Sequence, residues 1–151
     1  MISDQDVLDI DNLESMLLEQ AISYDQLRRH YAILLLDMLD KKRYPDTDEK
    51  DLEALALYLK DAAATARINR DSDELVKVIG ELWTIEGQYR TLSPDLSRFA
   101  RCSILCFSTE QKWIEEDSGD QTPLLLYLYL LKKIDPEVCP ALVGFFKRLL
   151  D

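Results

Sequence analysis

The sequence predicts an all-α protein, and three observations predict this class. Glycine (4) and proline (5) are scarce among the 151 residues, which disfavours turn-rich all-β and collagen-like chains. Apolar residues recur at helical spacing along most of the chain. Three capping residues directly precede a proline, at Ser93-Pro94, Thr122-Pro123 and Asp135-Pro136, a pattern typical of helix starts. We therefore expect a single globular domain over residues 1–151, a bundle of six to seven helices around one central apolar helix.

The first part of the chain is predicted to form a long helix that restarts once. Apolar residues keep a helical period from Ile10 to Met38. Ser23 and Gln26 match a capping box, which restarts the helix at that point. Residues 1–20 carry six acidic side chains and no basic one, and we treat the acidic segment 1–11 as a candidate for disorder.

Two further helices are predicted before residue 90. The first begins near Asp48 and follows an apolar stripe to Ala66. The second begins after Asp71 or Ser72, with Glu74 three residues beyond Asp71. Glycine is unfavourable inside a helix, so we expect this helix to bend or break near Gly87.

The three capping signals predict the C-terminal helices and a loop at 117–121. The helices are predicted at 94–117, 123–134 and 136–150. From Phe99 to Phe107 only Arg101 and Ser103 are polar. A helix that is apolar nearly all round is buried by neighbours on several sides, so the helix after Pro94 is predicted to be the central one.

The charge of the chain restricts its partners. Eighteen basic and 29 acidic residues give a net charge of −11, which disfavours nucleic acid and anionic membranes as partners and favours basic ones. We find no secretory or transit signal and no apolar stretch approaching the ~18 residues of a membrane span. The expected location is the cytoplasm.

Residues that could carry out catalysis are few. His30 is the sole histidine and is interpreted as an ordinary, partly exposed one. Cys102, Cys106 and Cys139 lie in apolar contexts and are interpreted as buried reduced thiols. The acidic groups at 46–51 and 115–117 lack the spacing of a calcium loop or of a catalytic pair. We predict no enzyme activity, no cofactor and no metal site.

The C-terminal third resembles a known family. An apolar helix, SRFARCSILCFSTEQKW, ends in a tryptophan. After WIEEDSGDQ follow a short apolar helix, TPLLLYLYLLKK, and a final helix, PEVCPALVGFFKRLL. This order resembles the Bcl-2-like proteins, particularly the short poxviral members that modulate host innate signalling. WIEEDSG is also similar to the Trp-Ile-x-x-x-Gly-Gly-Trp stretch of the cellular relatives, although Gly119 is followed by Asp120 instead of a second glycine.

The resemblance implies a non-enzymatic protein that binds host signalling or apoptosis proteins in the host cytoplasm and inhibits innate immune signalling. Such proteins bind partners in one of two ways. A groove that receives an amphipathic helix would be built here from Leu55, Tyr58, Leu59, Val78, Leu82, Trp83 and Arg98. A face that dimerises or docks adaptors would use Tyr24, Tyr31, Tyr127 and Tyr129. The sequence leaves open which surface is used, and whether its aromatic residues pack in the core instead.

Two other functions remain open at this stage. An acidic helical bundle of this size also fits a bacterial immunity protein or a secretion chaperone that neutralises a basic effector, and the acidic first 20 residues favour this alternative. An enzyme is the third hypothesis, and it has no identified mechanism.

Overall fold

A computed structural model describes residues 2–68, 73–112 and 122–151, and within these ranges the chain is helical with no strand. The prediction of an all-α protein is confirmed. The α-helices are α1 (Asp4–Glu19), α2 (Tyr24–Lys41), α3 (Glu49–Ala64), α4 (Asp73–Gln88), α5 (Pro94–Ile104), α6 (Leu124–Leu131) and α7 (Cys139–Lys147). Short 3-10 turns follow α5 (Leu105–Phe107) and α7 (Arg148–Leu150). None of the helices in the described ranges is both long and apolar enough to cross a membrane.

Capping boxes begin the first two helices. In α1, the Asp6 amide donates to Ser3 Oγ while the Ser3 amide donates to the Asp6 carboxylate. Ser23 and Gln26 make the same reciprocal pair at the start of α2, which confirms the predicted restart. The acidic segment 1–11, treated above as a candidate for disorder, is helical from Asp4 in the structure. The capping box bonds its first amides, and Ile10 is completely buried.

The next two helices lie close to their predicted positions. Asp48 caps α3 through its side chain, as the sequence indicates, although α3 ends at Ala64 and not at Ala66. The predicted caps at 71 and 72 lie outside the described residues. Helix α4 ends at Gln88, one residue after the glycine at which a break was predicted.

The helix after Pro94 is shorter than predicted. It ends at Ile104, turns through Leu105–Phe107 and becomes extended at Ser108, and a helical turn follows at 110–112. Side chains of α2 take the carbonyls that a continuing helix would use: Arg28 donates to Cys106 O and Tyr24 Oη donates to Ser108 O. The remainder of the predicted helix and the loop at 117–121 lie outside the described residues.

The last predicted helix, 136–150, starts later than its proline signal indicates. Residues 135–138 form a turn closed by the Val138 amide donating to Asp135 O, and α7 begins at Cys139. Pro140 stands in the first turn of α7, where its missing amide hydrogen costs nothing.

The core draws on every helix. Its completely or nearly completely buried members include Leu13, Leu17, Tyr31, Leu35, Leu55, Leu59, Leu82, Phe99, Tyr127, Leu128, Leu142 and Phe146. Within the core, the rings of Tyr31 in α2 and Tyr127 in α6 are stacked, with their centres 3.8 Å apart. All three cysteines are buried and free, as predicted, and burial raises the pKa of Cys102 to about 12, so this thiol stays protonated at neutral pH.

One arginine is part of the core. Arg28 is completely buried, and its guanidinium donates to Ala62 O (2.9 Å), Thr65 O (2.6 Å) and Cys106 O (3.3 Å). Asp25 balances its charge with a carboxylate oxygen 3.2 Å from Nε. The arginine therefore joins α2 to the end of α3 and to the turn after α5, and it satisfies carbonyls that those ends leave unpaired.

A second buried ion pair joins the first helix to the end of α6. The ammonium of Lys132 donates to the carboxylate of Asp6, and both side chains are more than four-fifths buried. The bond to Lys132 holds the pKa of Asp6 far below its usual range. A carboxyl group with a lowered folded-state pKa stabilises the fold above the unfolded-state pKa of about 3.9 and loses that contribution as pH falls below it.

We therefore expect Asp6→Asn to lower the free energy of unfolding at pH 7 and to lower it progressively less below pH 4. The measurement is urea unfolding of both proteins between pH 2.5 and pH 7. Asp11→Asn, on the exposed side of the same helix, is the control and should change stability by less than ~0.5 kcal/mol. A constant difference between wild type and Asp6→Asn across this range would contradict the expectation.

Candidate protein-docking groove

A cleft of about 370 Å³ opens between the start of α4 and the end of α5. Seven of its eleven lining residues are apolar and four are polar. The lining residues are Leu75, Val76, Ile79, Trp83, Arg101, Ile104, Leu105, Phe107, Ser108, Thr109 and Lys112. We call this cleft the α4–α5 groove.

The apolar surface of helix α4 is wider than the part that the core covers. Leu82 and Ile85 are buried in the core. Leu75 and Ile79 pack partly against the core and also line the groove, and Trp83 continues their four-residue spacing at the exposed edge. The apolar surface that extends past the core indicates a contact that the bundle itself does not complete.

The groove leaves large apolar side chains in water. Val76 is 67% exposed and Trp83 is 43% exposed. Tryptophan is among the residues that most often anchor interfaces, because one side chain buries a large area. The exposed pair therefore marks the groove as a docking surface.

The charges at the groove are positive. The guanidinium of Arg101 lies 5.1 Å from the ring centre of Trp83, and Lys112 also lines the groove. No hydrogen bond or ion pair joins Arg101 to another described residue, and no carboxylate is among the described lining residues. In a chain of net charge −11, this local positive charge favours an occupant that carries a carboxylate.

A smaller cleft of about 240 Å³ lies on the other side of the start of α4. Leu75 and Phe107 border both clefts. Asp61, Thr65, Arg67, Ile68, Glu74 and Val78 complete the lining of the smaller cleft. The first two turns of α4 therefore stand between two open spaces.

Side chains of α2 bond backbone carbonyls close to both clefts. Arg28 and Arg29 donate to the carbonyls of Ala62 and Ala63 at the end of α3, at 2.9 and 3.0 Å. Tyr24 Oη donates to Ser108 O, in the lining of the groove, at 3.2 Å. These bonds end in backbone carbonyls and therefore fix the chain segments beside the clefts.

The structure places the predicted groove residues in three different environments. Leu55, Leu59 and Leu82 are completely buried and line no surface, which corrects their assignment. Trp83 lines the groove and Val78 lines the smaller cleft.

Arg98, also predicted for the groove, points elsewhere. It lines a separate cleft with Arg43 and Leu92 and pairs with Asp95 at 3.3 Å. Tyr58 is half-buried against the core.

Trp83 is the one predicted groove residue among the eleven that line the groove, and the other ten escaped the sequence analysis. Leu75 and Ile79 share helical spacing with the buried Leu82, so periodicity does not distinguish them from core residues. The two signals that could have found the groove are Val76, which is apolar and outside that spacing, and Arg101, a charge within an otherwise apolar run.

The predicted tyrosine face does not form one surface. Tyr31 and Tyr127 are buried and stacked on each other, and Tyr24 is half-buried with its hydroxyl bonded to Ser108 O. Tyr129 is 52% exposed, with Lys133 Nζ 4.5 Å from its ring centre. Tyr127 and Tyr129 differ because residues two positions apart in a helix are separated by about 200° around its axis, so the two side chains point to opposite sides of α6.

The lone histidine has a structural environment. His30 Nε2 donates to Phe145 O at 2.7 Å, and its ring stacks on Phe145 with centres 4.1 Å apart. Partial burial lowers the pKa of His30, so the ring is neutral at physiological pH. Within the described ranges, histidine, cysteine and acidic side chains form no group that could hold a metal ion.

Comparisons with known proteins give no relative: no family model, no curated protein and no solved structure matches this chain.

Proposed function

We propose that this chain is a protein-interaction module without enzyme activity, and that its α4–α5 groove receives an amphipathic helix of a partner protein. The observation that carries the proposal is the apolar border that α4 gives the groove, where Val76 and Trp83 stay exposed and Trp83 lies beside Arg101. A helix with apolar residues at i, i+4 and i+7 would cover this border, and a carboxylate on its flank would reach Arg101.

The proposed arrangement of the helices is Bcl-2-like, with α5 as the central helix. The order of the last three helices in the sequence supports this proposal, and so does the burial of seven of the eleven residues of α5. The proposed role is that of a viral modulator that occupies host signalling or apoptosis proteins and so inhibits innate immune signalling. No catalytic step is needed for that role, since occupancy of a partner's surface is sufficient.

The test compares two variants that place the same charge on two equally exposed sites. Val76 in the groove is 67% exposed and Leu57 on α3 is 66% exposed. We expect Val76→Glu to weaken binding of the partner by about a hundredfold or more, because the contact would bury an unpaired carboxylate. Leu57→Glu should leave binding within about twofold.

The measurement is affinity purification with mass spectrometry from mammalian lysate, followed by titration of the identified partner segment against both variants. A partner that tolerates Val76→Glu would overturn the groove as its site. The alternative, a bacterial immunity protein or secretion chaperone, predicts a basic bacterial partner that both variants retain and that ~0.5 M salt releases. A solution mass of two chains that Tyr129→Glu halves would instead favour the homodimer.

A further inference from the structure

The start of α4 differs from the rest of the helix in how it is held. The residues before Gly80 include none that is buried, whereas Leu82 and Ile85 after it are part of the core. The α4–α5 groove and the smaller cleft flank the first two turns. Leu75, Val78 and Ile79 are only partly buried against the core, so this half of the helix is less firmly packed than the half that contains Leu82 and Ile85.

The residue at the boundary is a glycine that packing does not require. A Cβ atom added to Gly80 would meet nothing within 4 Å. Glycine inside a helix is unfavourable by roughly a factor of four to five in the helix-forming equilibrium relative to alanine. The position thus keeps a destabilising residue for which the closed bundle shows no steric reason.

A second feature weakens the helix at the same point. Thr84 Oγ1 donates to the carbonyl of Gly80 at 3.0 Å. The Gly80 carbonyl therefore accepts from this hydroxyl as well as from a helix amide. Such back-bonding by threonine slightly destabilises and often bends a helix. Two independent observations therefore fall on one residue.

We propose that Gly80 is a hinge, and that the first two turns of α4 move about it to widen the α4–α5 groove. The inference rests on the proposed function of the groove, whose regulation it describes. In this view the arrangement seen in the structure predominates, and an occupant binds a minor, wider arrangement. The apolar residues of these turns, above all Val76, would then clamp onto the bound helix.

The chain supplies a matched control for the hinge. Gly87 lies in the same helix, also has open space where a Cβ would stand, and follows the buried anchors Leu82 and Ile85. Gly80→Ala and Gly87→Ala are therefore the same chemical change on the two sides of the buried segment.

The first measurement is amide hydrogen exchange of the free protein by NMR. We expect amides 77–80 to exchange at least about tenfold faster than amides 85–88. Gly80→Ala should slow amides 77–80 by about fourfold, and Gly87→Ala should change them by less than about twofold. Equal protection along α4, or equal slowing by both variants, would overturn the hinge.

The second measurement asks whether the hinge controls the groove. The probe is anilinonaphthalene sulfonate, an apolar anion that suits the apolar wall and Arg101. Gly80→Ala should weaken its fluorescence-detected binding by about fourfold, and Val76→Glu should abolish it. Unchanged binding to Gly80→Ala would overturn the gating. Neither measurement needs a protein partner, so a failure to capture one leaves the hinge result standing.

Discussion

Arg28→Met should lower the free energy of unfolding by about 3–5 kcal/mol. The methionine keeps the apolar stem of the side chain and removes every donor of the guanidinium. Two buried backbone carbonyls, those of Ala62 and Cys106, and the partly buried carbonyl of Thr65 would lose their charged donor, and Asp25 would lose its ion-pair partner. Breaking a buried network by deleting one member costs this much, because the remaining groups stay desolvated.

The adjacent arginine is the control for Arg28. Arg29 is half-buried and donates to one carbonyl, that of Ala63. Arg29→Met should therefore cost only about 1 kcal/mol. Urea unfolding followed by circular dichroism measures both variants through the shift in the midpoint.

The test is the difference in unfolding midpoint between Arg28→Met and Arg29→Met. Equal midpoints for the two variants would contradict the role given to Arg28. If Arg28→Met fails to fold, Arg28→Lys keeps the measurement possible, since an ammonium carries the charge but cannot span three carbonyls at once. Arg28→Lys should therefore fold, but its free energy of unfolding should be lower than those of wild type and Arg29→Met.

Local signals predicted the helices well, because the residues that start them act over three or four positions. Ser23 with Gln26 and Asp48 are such cases, and the structure contains their predicted bonds. The end of α5 could not be predicted in this way. Its position depends on Tyr24 and Arg28, which lie some 80 residues earlier in the chain and reach the turn only in the folded protein.

The candidate site was harder to predict than the helices for a related reason. Leu75 and Ile79 share helical periodicity with the buried Leu82, so periodicity alone assigns them all to the core. Whether an apolar stripe is covered depends on the distance to the next helix, which no local pattern encodes. The sequence named Trp83 as a candidate groove residue but left open whether it packs in the core, and the structure leaves it 43% exposed.

Tyr31 and Tyr127 are a second case in which burial could not be predicted from the local sequence. The family resemblance placed them on a face that dimerises or docks adaptors, with packing in the core left open, and the two rings stack in the core. The Tyr31 hydroxyl donates to Cys102 O at 3.2 Å, which makes its burial tolerable. The same carbonyl also accepts from the Leu105 amide at the end of α5, so Tyr31 bonds the backbone at a point 71 residues away that no local pattern encodes.

Phe99→Ala should lower the free energy of unfolding by about 3–5 kcal/mol, the usual cost of removing a buried phenylalanine ring. Phe99 is completely buried and its ring lies 5.9 Å from that of Tyr44. Leu57→Ala, at a residue that is 66% exposed, is the control and should cost less than ~0.5 kcal/mol. Thermal and urea unfolding measure both, and Phe99→Leu gives a smaller cavity if the alanine variant does not fold.

This result decides what kind of function the chain can have. If α5 is the central helix, deleting the Phe99 ring weakens packing on several sides at once, and the described surface of the bundle is what remains for contact with other molecules. A cost near that of Leu57→Ala would mean that the bundle does not depend on α5. The proposed Bcl-2-like arrangement would then be wrong, and the α4–α5 groove would lose the rigid wall that Arg101 and Ile104 are proposed to supply.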